Sequence, residues 1–167
     1  MQIRPATIDD AEALSQLLYS VTSYFTIHPD GKGAEQFFET ITPAAMAQRL
    51  QSAQFQYWAG CDLNGRLIGA VGIRDNTHLY HLYVAADQHR QGYASQLWAH
   101  AKQAAMAAGN PGEFTVNSSL YAEKLYLGLG FVPTAEKQEM HGLAFIPMRL
   151  QATSTNQQDQ LPLPTAI

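Results

Sequence analysis

The sequence predicts an α+β fold in which a mixed β-sheet of about seven strands is flanked by about four helices. Three observations lead to this prediction. Short apolar runs typical of strands alternate with longer segments whose apolar residues recur at helical spacing. An Asn-Gly pair at 64–65 predicts an antiparallel hairpin. A strand, a glycine turn, a long helix and another strand succeed one another within 78–117, which predicts one parallel connection in the sheet.

The N-terminal part of the chain is predicted to hold one strand and two helices. Residues 2–6 form the strand, and Thr7 is a suitable N-cap for the first helix. Thr42 and Pro43 begin the second helix, because threonine is favoured at the N-cap and proline at the first helical position. Between the two helices, residues 22–41 are aromatic and irregular.

The middle of the chain is predicted to form three consecutive antiparallel strands. They are 55–63, 67–74 and 78–84. Asn64 and Gly65 provide the turn between the first two strands, and Asp75 and Asn76 provide the next turn. The short spacing of both turns makes antiparallel pairing the natural arrangement.

A long helix, a short strand, a second helix and two closing strands complete the predicted fold. The long helix ends at Gly109, and a strand at 114–117 follows it through a helical crossover. Ser118 or Ser119 is expected to cap the next helix. The closing strands are 131–133 and 143–150.

Composition limits the classes of function. Hydrophobic residues make up 46% of the 167 residues, which predicts a single domain at 1–150, whereas the polar segment 151–167 is expected to be a disordered tail. The net charge of −4 argues against binding to nucleic acid or to an anionic membrane, because both require a basic face. The single cysteine, Cys61, cannot form an internal disulfide. We therefore expect a cytoplasmic protein without a signal peptide or a membrane span.

The turn before the long helix carries the strongest functional signal. A strand that turns through a glycine into a helix directs unpaired backbone N–H groups at one point, which suits a phosphate or pyrophosphate. The turn consists of His89, Arg90, Gln91, Gly92, Tyr93, Ala94 and Ser95. A nicotinamide-dinucleotide or other nucleotide site is disfavoured, because Ala94 stands at the second glycine position and Glu113 begins the next strand instead of ending it.

Three motifs occur in a fixed order along the chain. The first is the turn His89–Ala94, the second combines Asn117 and Ala122 with Tyr126–Phe131, and the third is the closing run Phe145–Leu150. With the order of elements, these motifs resemble the GNAT family of acetyl-CoA-dependent N-acetyltransferases, of the bacterial small-molecule type, over residues 2 to about 150. His89 departs from the Gln or Arg of the family pattern, although imidazole is still a hydrogen-bond donor.

The resemblance implies that acetyl-CoA is the cosubstrate and that the sheet splays apart at its centre, between the strands at 78–84 and 114–117. Residues His89 to Ser95 would then bind the pyrophosphate, with Gly92 allowing close approach of the backbone. Backbone groups of Leu82 and Val84 would hold the pantetheine arm, as a peptide pairs with a sheet edge, and Tyr83 would also contact the cosubstrate. Asn117 would bind the arm or an ordered water.

Two side chains are candidates for proton transfer. Tyr126 would donate a proton to the departing thiolate, because a phenol with a pKa of about 10 is protonated at neutral pH. The same residue lies on an apolar helical stripe, so a purely structural role is the alternative. His78 occupies the position where many relatives have a glutamate and would accept the amine proton, unless water does so or His78 is only a half-buried strand residue. In a regular strand Tyr80 shares the face of His78 and His81 faces the other way, but a bulge would exchange these positions.

The nature of the acceptor and of the function stays open at this point. The segment 19–40 carries aromatic and acidic residues that form either a wall for a small-molecule cationic amine or simply core under a long loop. They are Tyr24, Phe25, His28, Asp30, Glu35 and Glu39. The chain is either an N-acetyltransferase that works by direct attack in a ternary complex or a non-catalytic acyl-CoA sensor or interaction module, and Tyr126 favours the enzyme. No metal site is expected, and the sequence is compatible with a homodimer.

Overall fold

The computed structural model of the protein describes residues 1–152, so the predicted tail lies outside the described residues except for its first two positions. At the centre is an eight-stranded mixed sheet of order β1-β2-β3-β4-β5-β8-β6, with β7 paired to β8. The strands are β1 (Gln2–Pro5), β2 (Phe55–Cys61), β3 (Leu67–Arg74), β4 (His78–Val84), β5 (Phe114–Ser119), β6 (Val132–Pro133), β7 (Gln138–Met140) and β8 (Leu143–Leu150). The α-helices are α1 (Ala11–Ser20), α2 (Glu35–Thr40), α3 (Pro43–Gln51), α4 (Tyr93–Ala107) and α5 (Glu123–Gly128).

The only parallel pair among the described strands is β4 with β5, and it is short. Two register pairs join these strands, His78 with Thr115 and Leu79 with Val116. Beyond them β4 continues along β3 as far as Val84, while β5 continues along β8 as far as Ser119. The two strands therefore separate in the middle of the sheet, which confirms the predicted mixed α+β fold with a central splay.

Helices cover both faces of the sheet. On one face α4 and α5 pack over a core in which the ring of Trp98 meets Phe114 and Phe131 with centroids 4.9 and 5.4 Å apart. On the other face α1 and α3 bury Leu14 and Met46 against β2 and β3. Because both faces are covered, the central strands are buried on each side, and the splay leads from one helical layer to the other.

Several element boundaries differ from the prediction. Ser118 and Ser119 belong to β5, and the Ser119 hydroxyl accepts a hydrogen bond from the N–H of Ala122 at 3.2 Å, so α5 begins later than expected. The strand extends because each of its residues has a partner in β8. The hairpin loop at 62–66 is longer than a two-residue turn, since the Asp62 carboxylate accepts hydrogen bonds from the N–H groups of Asn64 and Arg66.

The structure contains a short helix and a short strand that the sequence did not predict. The helix α2 lies in the segment expected to be irregular, and β7 adds a hairpin to β8. His141 and Gly142 join β7 to β8 with φ of +50° and +74°, values that a glycine adopts readily. Within residues 1–152 no helix has both the length and the hydropathy of a membrane span.

Candidate active site

The N-terminus of α4 has the geometry of an anion site. Gly92 precedes the helix with φ +77°, and Arg90 is also left-handed with φ +62°. The N–H groups of Tyr93, Ala94 and Ser95 belong to the first helical turn and have no acceptor within the helix. The first turn carries no acidic residue, and a Cβ built on Gly92 would meet no atom within 4 Å. The approach to these N–H groups is therefore open.

The edge of β4 that faces the splay offers backbone groups at alternate residues. The N–H of Ala85 bonds to the carbonyl of Ile68 on β3 at 2.9 Å. Antiparallel alternation then directs the backbone of Tyr83 towards β3 and that of Leu82 and Val84 towards the splay. Because β3 occupies the N–H and carbonyl of Tyr83, a contact of Tyr83 with the cosubstrate would have to use its side chain. That half-buried side chain lies on the cavity wall.

His89 does not point at the N-terminus of α4. Its Nε2–H donates to the Val84 carbonyl at 2.8 Å, and its Nδ1 accepts from the Tyr121 hydroxyl at 3.1 Å. Tyr24 packs on both partners, with ring centroids 5.2 Å from His89 and 4.5 Å from Tyr121. Both ring nitrogens therefore have protein partners, and a contact of this side chain with phosphate would require the ring to leave them. The prediction omitted Tyr121.

A bulge in β4 brings three rings to one face. Gly72 of β3 pairs with His81 and the next residue pairs with Leu79, so Tyr80 is the extra residue. The rings of Tyr80 and His81 lie 4.5 Å apart, and that of His78 lies 6.3 Å from Tyr80. In place of the alternation of a regular strand, His81 joins His78 on the wall of the cavity. His81 is therefore a site residue that the sequence alone did not identify.

Both histidines are held in the neutral form at pH 7. Partial burial, together with the nearby charge of Arg74, lowers the pKa of His78, whose Nδ1 lies 2.8 Å from the Thr115 hydroxyl. Complete burial lowers the pKa of His81 well below its usual range, and its Nδ1 lies 2.9 Å from the Tyr57 hydroxyl. A neutral imidazole has a lone pair, so each ring can accept a proton.

Tyr126 lies on α5 with its ring against Phe131, at a centroid distance of 5.5 Å and an interplanar angle of 75°. The residue is buried, and burial raises the pKa of its phenol. Within the described part of the chain its hydroxyl makes no hydrogen bond, although the side chain lines the cavity. The phenol is thus protonated at neutral pH and available as a donor to a molecule in the cavity.

One cavity of about 790 Å³ connects these groups. It runs through the splay from the N-terminus of α4 to the face covered by α1 and α3. Every predicted site residue lines it except Gln91, which is exposed and lies near Gln88. The amide of Asn117 also lines the cavity and has no hydrogen-bond partner among residues 1–152.

The segment after α1 contributes aromatic residues to the cavity, but none of its acidic ones. Tyr24 and Phe25 lie on the wall, together with Phe37. Of the two alternatives for this segment, an acidic wall for a cationic amine is not supported, because no carboxylate of the segment lines the cavity. Asp30 instead accepts the N–H of Lys32 at 3.1 Å, and Glu35 accepts the N–H of Gly33 at 3.0 Å. These short-range hydrogen bonds hold both carboxylates in the loop itself.

Comparisons with known proteins agree with this geometry. A Rhodopseudomonas palustris structure titled "GCN5-Related N-acetyltransferase: Aminotransferase, Class-II" has a TM-score of 0.74 and 20% identity, covering 89% of this chain and 94% of that one. PaiA N-acetyltransferase from Thermoplasma acidophilum, in complex with coenzyme A, has a TM-score of 0.70 and 19% identity over 90% and 98% of the two chains. The ribosomal-protein-S18-alanine N-acetyltransferase from Escherichia coli has a TM-score of 0.65 and 17% identity over 96% and 99%.

The similarity to these structures establishes the fold, and a comparison with curated protein sequences gave no significant match. The family follows from a different comparison. A family model described as an acetyltransferase (GNAT) domain matches residues 25–152, which include the splayed strands, the glycine turn and the helix that carries Tyr126. The chain therefore belongs to the GNAT family of acetyltransferases.

Proposed function

We propose that the protein transfers the acetyl group of acetyl-CoA to a small-molecule primary amine by direct attack in a ternary complex. The observation that carries this proposal is the single cavity that joins the N-terminus of α4, the open edge of β4 and the Tyr126 phenol. A sensor of acyl-CoA requires the first two features but has no use for a buried proton donor. The coenzyme A complex of a protein with the same fold supports the choice of cosubstrate.

Different groups of residues along the cavity would bind the pyrophosphate, the pantetheine arm and the thioester oxygen of acetyl-CoA. The N–H groups of the first turn of α4, beside the open face of Gly92, would bind the pyrophosphate, and the exposed Arg90 would add positive charge. The N–H and carbonyl of Leu82 and the N–H of Val84 would pair with the amides of the pantetheine arm, since the Val84 carbonyl already accepts from His89. An N–H group at this edge would also stabilise negative charge on the thioester oxygen during attack.

Tyr126 and His78 would move the two protons of the reaction. When bound, acetyl-CoA supplies a thioester whose carbon forms a bond to the amine nitrogen and whose C–S bond breaks. Tyr126 donates its phenolic proton to the sulfur that leaves, so that a thiol rather than a thiolate is released. His78, directly or through a water, takes the proton that the amine nitrogen loses.

The pH dependence of the reaction follows from the state of His78. Its pKa is lowered, so the neutral form that can accept a proton predominates at and above pH 6.5. We expect the protonation of His78 to have no effect on kcat/KM near neutral pH. As the pH drops through the lowered pKa of His78, kcat/KM should fall. His78→Gln is expected to remove that acid limb, as measured in a pH profile of kcat/KM.

Two measurements test the function. Calorimetry with acetyl-CoA is expected to show binding, whereas NAD and ATP give none. Release of free thiol from acetyl-CoA in the presence of a panel of amines is expected to show turnover. Binding without thiol release from any amine would instead identify a sensor. We further propose that residues 1–150 form one domain in the cytoplasm, which the buried, unpaired Cys61 supports.

A further inference from the structure

The acceptor end of the cavity is a defined surface on the side of the sheet that α1 and α3 cover. We call it the acceptor wall, and it consists of Phe25, Phe37, Tyr80, Leu143 and Phe145. Phe25 packs edge-on against Phe37 at 5.4 Å, and its carbonyl accepts the N–H of Ala144 at 3.3 Å. The wall is thus apolar and aromatic, and it is held together by backbone contacts between the segment after α1 and β8.

Carboxylates are absent from the entire described lining of the cavity. Neither an aspartate nor a glutamate of residues 1–152 lies on it. A substrate that carries a second ammonium group would have to give up water there without gaining an ionic partner, which costs free energy. The lack of an anionic group on the cavity lining therefore disfavours the binding of a diamine or polyamine.

The protein's own cations add to this effect. The Arg49 guanidinium lies 5.2 Å from the ring centroid of Tyr80, and the Arg74 guanidinium lies 5.4 Å from it. Arg49 donates to the Thr40 carbonyl at 3.0 Å and has no acidic partner among the described residues. Tyr80 therefore already interacts with two guanidinium groups. Arg74 also lies 3.4 Å from the Asp75 carboxylate, so Arg49 contributes most of the repulsion that a substrate cation at this ring would meet.

The same charge arrangement suits the nucleophile. An amine attacks a thioester only in its neutral form, and a nearby carboxylate would stabilise the protonated form. A wall without carboxylates, with guanidinium groups behind it, favours loss of the proton from the one amine that reacts. The aromatic side chains leave burial of apolar surface as the main source of affinity.

From these observations we infer that the acceptor is a monoamine on an aromatic or otherwise apolar skeleton, and that a second ammonium group is selected against. This inference rests on the proposed acetyltransferase function and specifies its substrate class. Similar folds serve other amines, since one structural neighbour is a spermidine N-acetyltransferase chimera. The selection here arises from the side chains of this chain rather than from the fold.

Three amines separate the contribution of apolar contact to selectivity from that of a second charged group. Thiol release is measured with 2-phenylethylamine, 1-aminobutane and 1,4-diaminobutane at saturating acetyl-CoA. We expect kcat/KM for 2-phenylethylamine to exceed that for 1-aminobutane by about tenfold, as extra apolar contact allows. The value for 1-aminobutane should exceed that for 1,4-diaminobutane by at least about tenfold, because these two differ by one charged group.

A pair of isosteric variants tests the role of charge directly. Gln36 lies at the exposed rim of the cavity, and Gln103 lies exposed on α4 outside it. Gln36→Glu is expected to raise the ratio of kcat/KM for the diamine to that for the monoamine by about two- to fivefold, the effect of an exposed ion pair. Gln103→Glu adds the same charge elsewhere and should leave the ratio unchanged.

The outcomes distinguish this inference from the proposed function. If 1,4-diaminobutane equals or exceeds 1-aminobutane, or if 2-phenylethylamine has no advantage, the substrate class is wrong while the acetyltransferase function stands. If acetyl-CoA binds and none of the three amines releases thiol, the inference is overturned. Release with some other amine would then preserve the function, and its absence with every amine of the wider panel would remove the function as well.

Discussion

The two ends of the cavity are built in different ways. At the donor end the binding groups belong to the backbone, namely the N–H groups of the first turn of α4 and the edge of β4 at Leu82 and Val84. At the acceptor end they are side chains from three separate segments, and Phe25, Tyr80 and Phe145 are examples. Backbone groups are the same in any sequence that adopts the fold, whereas side chains vary freely. The donor end can therefore keep one ligand across a family while the acceptor end changes.

We expect the largest effect on activity from a substitution of Tyr126, which lies between the donor end and the acceptor end of the cavity. Tyr126→Phe removes only the hydroxyl, and the ring keeps its packing against Phe131. We expect kcat to fall by about 10²-fold or more, which is typical for the loss of a general acid. Thiol release measures the rate.

Because the phenol acts after the cosubstrate has bound, calorimetry of acetyl-CoA should give an unchanged Kd for Tyr126→Phe. An unchanged kcat would show that Tyr126 is a core residue only. A large loss of binding with little loss of kcat would place it at the donor end instead of at the junction.

A substitution at Gly92 tests the donor end alone. An added Cβ has space in the protein, but it would project into the region where the pyrophosphate is expected, and φ is +77°. We expect Gly92→Ala to weaken acetyl-CoA binding by about tenfold, or about 1.4 kcal/mol. Calorimetry gives the Kd.

Gly65 provides a matched control for the backbone strain. It has φ +81° and equal free space around a built Cβ, but it lies in the loop between β2 and β3. Gly65→Ala should therefore cost similar stability and leave the Kd for acetyl-CoA unchanged. If both variants bind acetyl-CoA as the wild type does, the pyrophosphate does not lie at Gly92.

A substitution at Gly142 tests the acceptor end alone. A Cβ at this position would overlap the backbone of Gly33 and Ala34, and φ is +74°. Gly142→Ala should displace the segment that carries Phe25 and Phe37, and we expect a roughly three- to tenfold increase in KM for the amine, as for lost apolar contacts. The KM for acetyl-CoA should not change.

The exposed helical Gly128 supplies the control, because a Cβ there would meet nothing within 4 Å. Gly128→Ala should alter neither KM. An equal increase of both KM values in Gly142→Ala would contradict the separation of the two ends and indicate that they move as one unit.

The same division explains what could be predicted from the sequence. The donor end is encoded by neighbouring residues, since a strand, the turn at Gly92 and a helix follow one another along the chain, and local patterns detect them. The place of His81 on the cavity wall depends on one extra residue in the register between β3 and β4, for which the sequence of β4 has no marker.

Other parts of the acceptor end were missed for a related reason. The β7–β8 hairpin is marked only by Gly142, and β7 is exposed and lacks the apolar alternation of a strand. The acidic residues of the segment after α1 suggested a cationic substrate, but Asp30 and Glu35 bond to nearby backbone N–H groups in the loop. A sequence gives the types of side chain and not their directions, and at this end the direction determines the function.

The smallest effect concerns stability, because the acceptor end buries histidines in the neutral form. The pKa of His81 in the folded protein lies well below 6.5, its usual value in an unfolded chain, so the unfolded state binds more protons in acid. The stabilising contribution of the neutral ring is complete above pH 6.5 and declines as the pH falls from there towards the lowered pKa.

His81→Gln keeps a hydrogen-bonding partner for Tyr57 and does not titrate. We expect the fall in Tm between pH 7 and pH 5.5 to be smaller in this variant by roughly 2–4 °C, the shift that about 1 kcal/mol causes in a domain of this size. His100→Gln, on the exposed side of α4, is the control. If the Tm of His81→Gln falls in parallel with that of the wild type as the pH drops, His81 is not the source of the acid sensitivity.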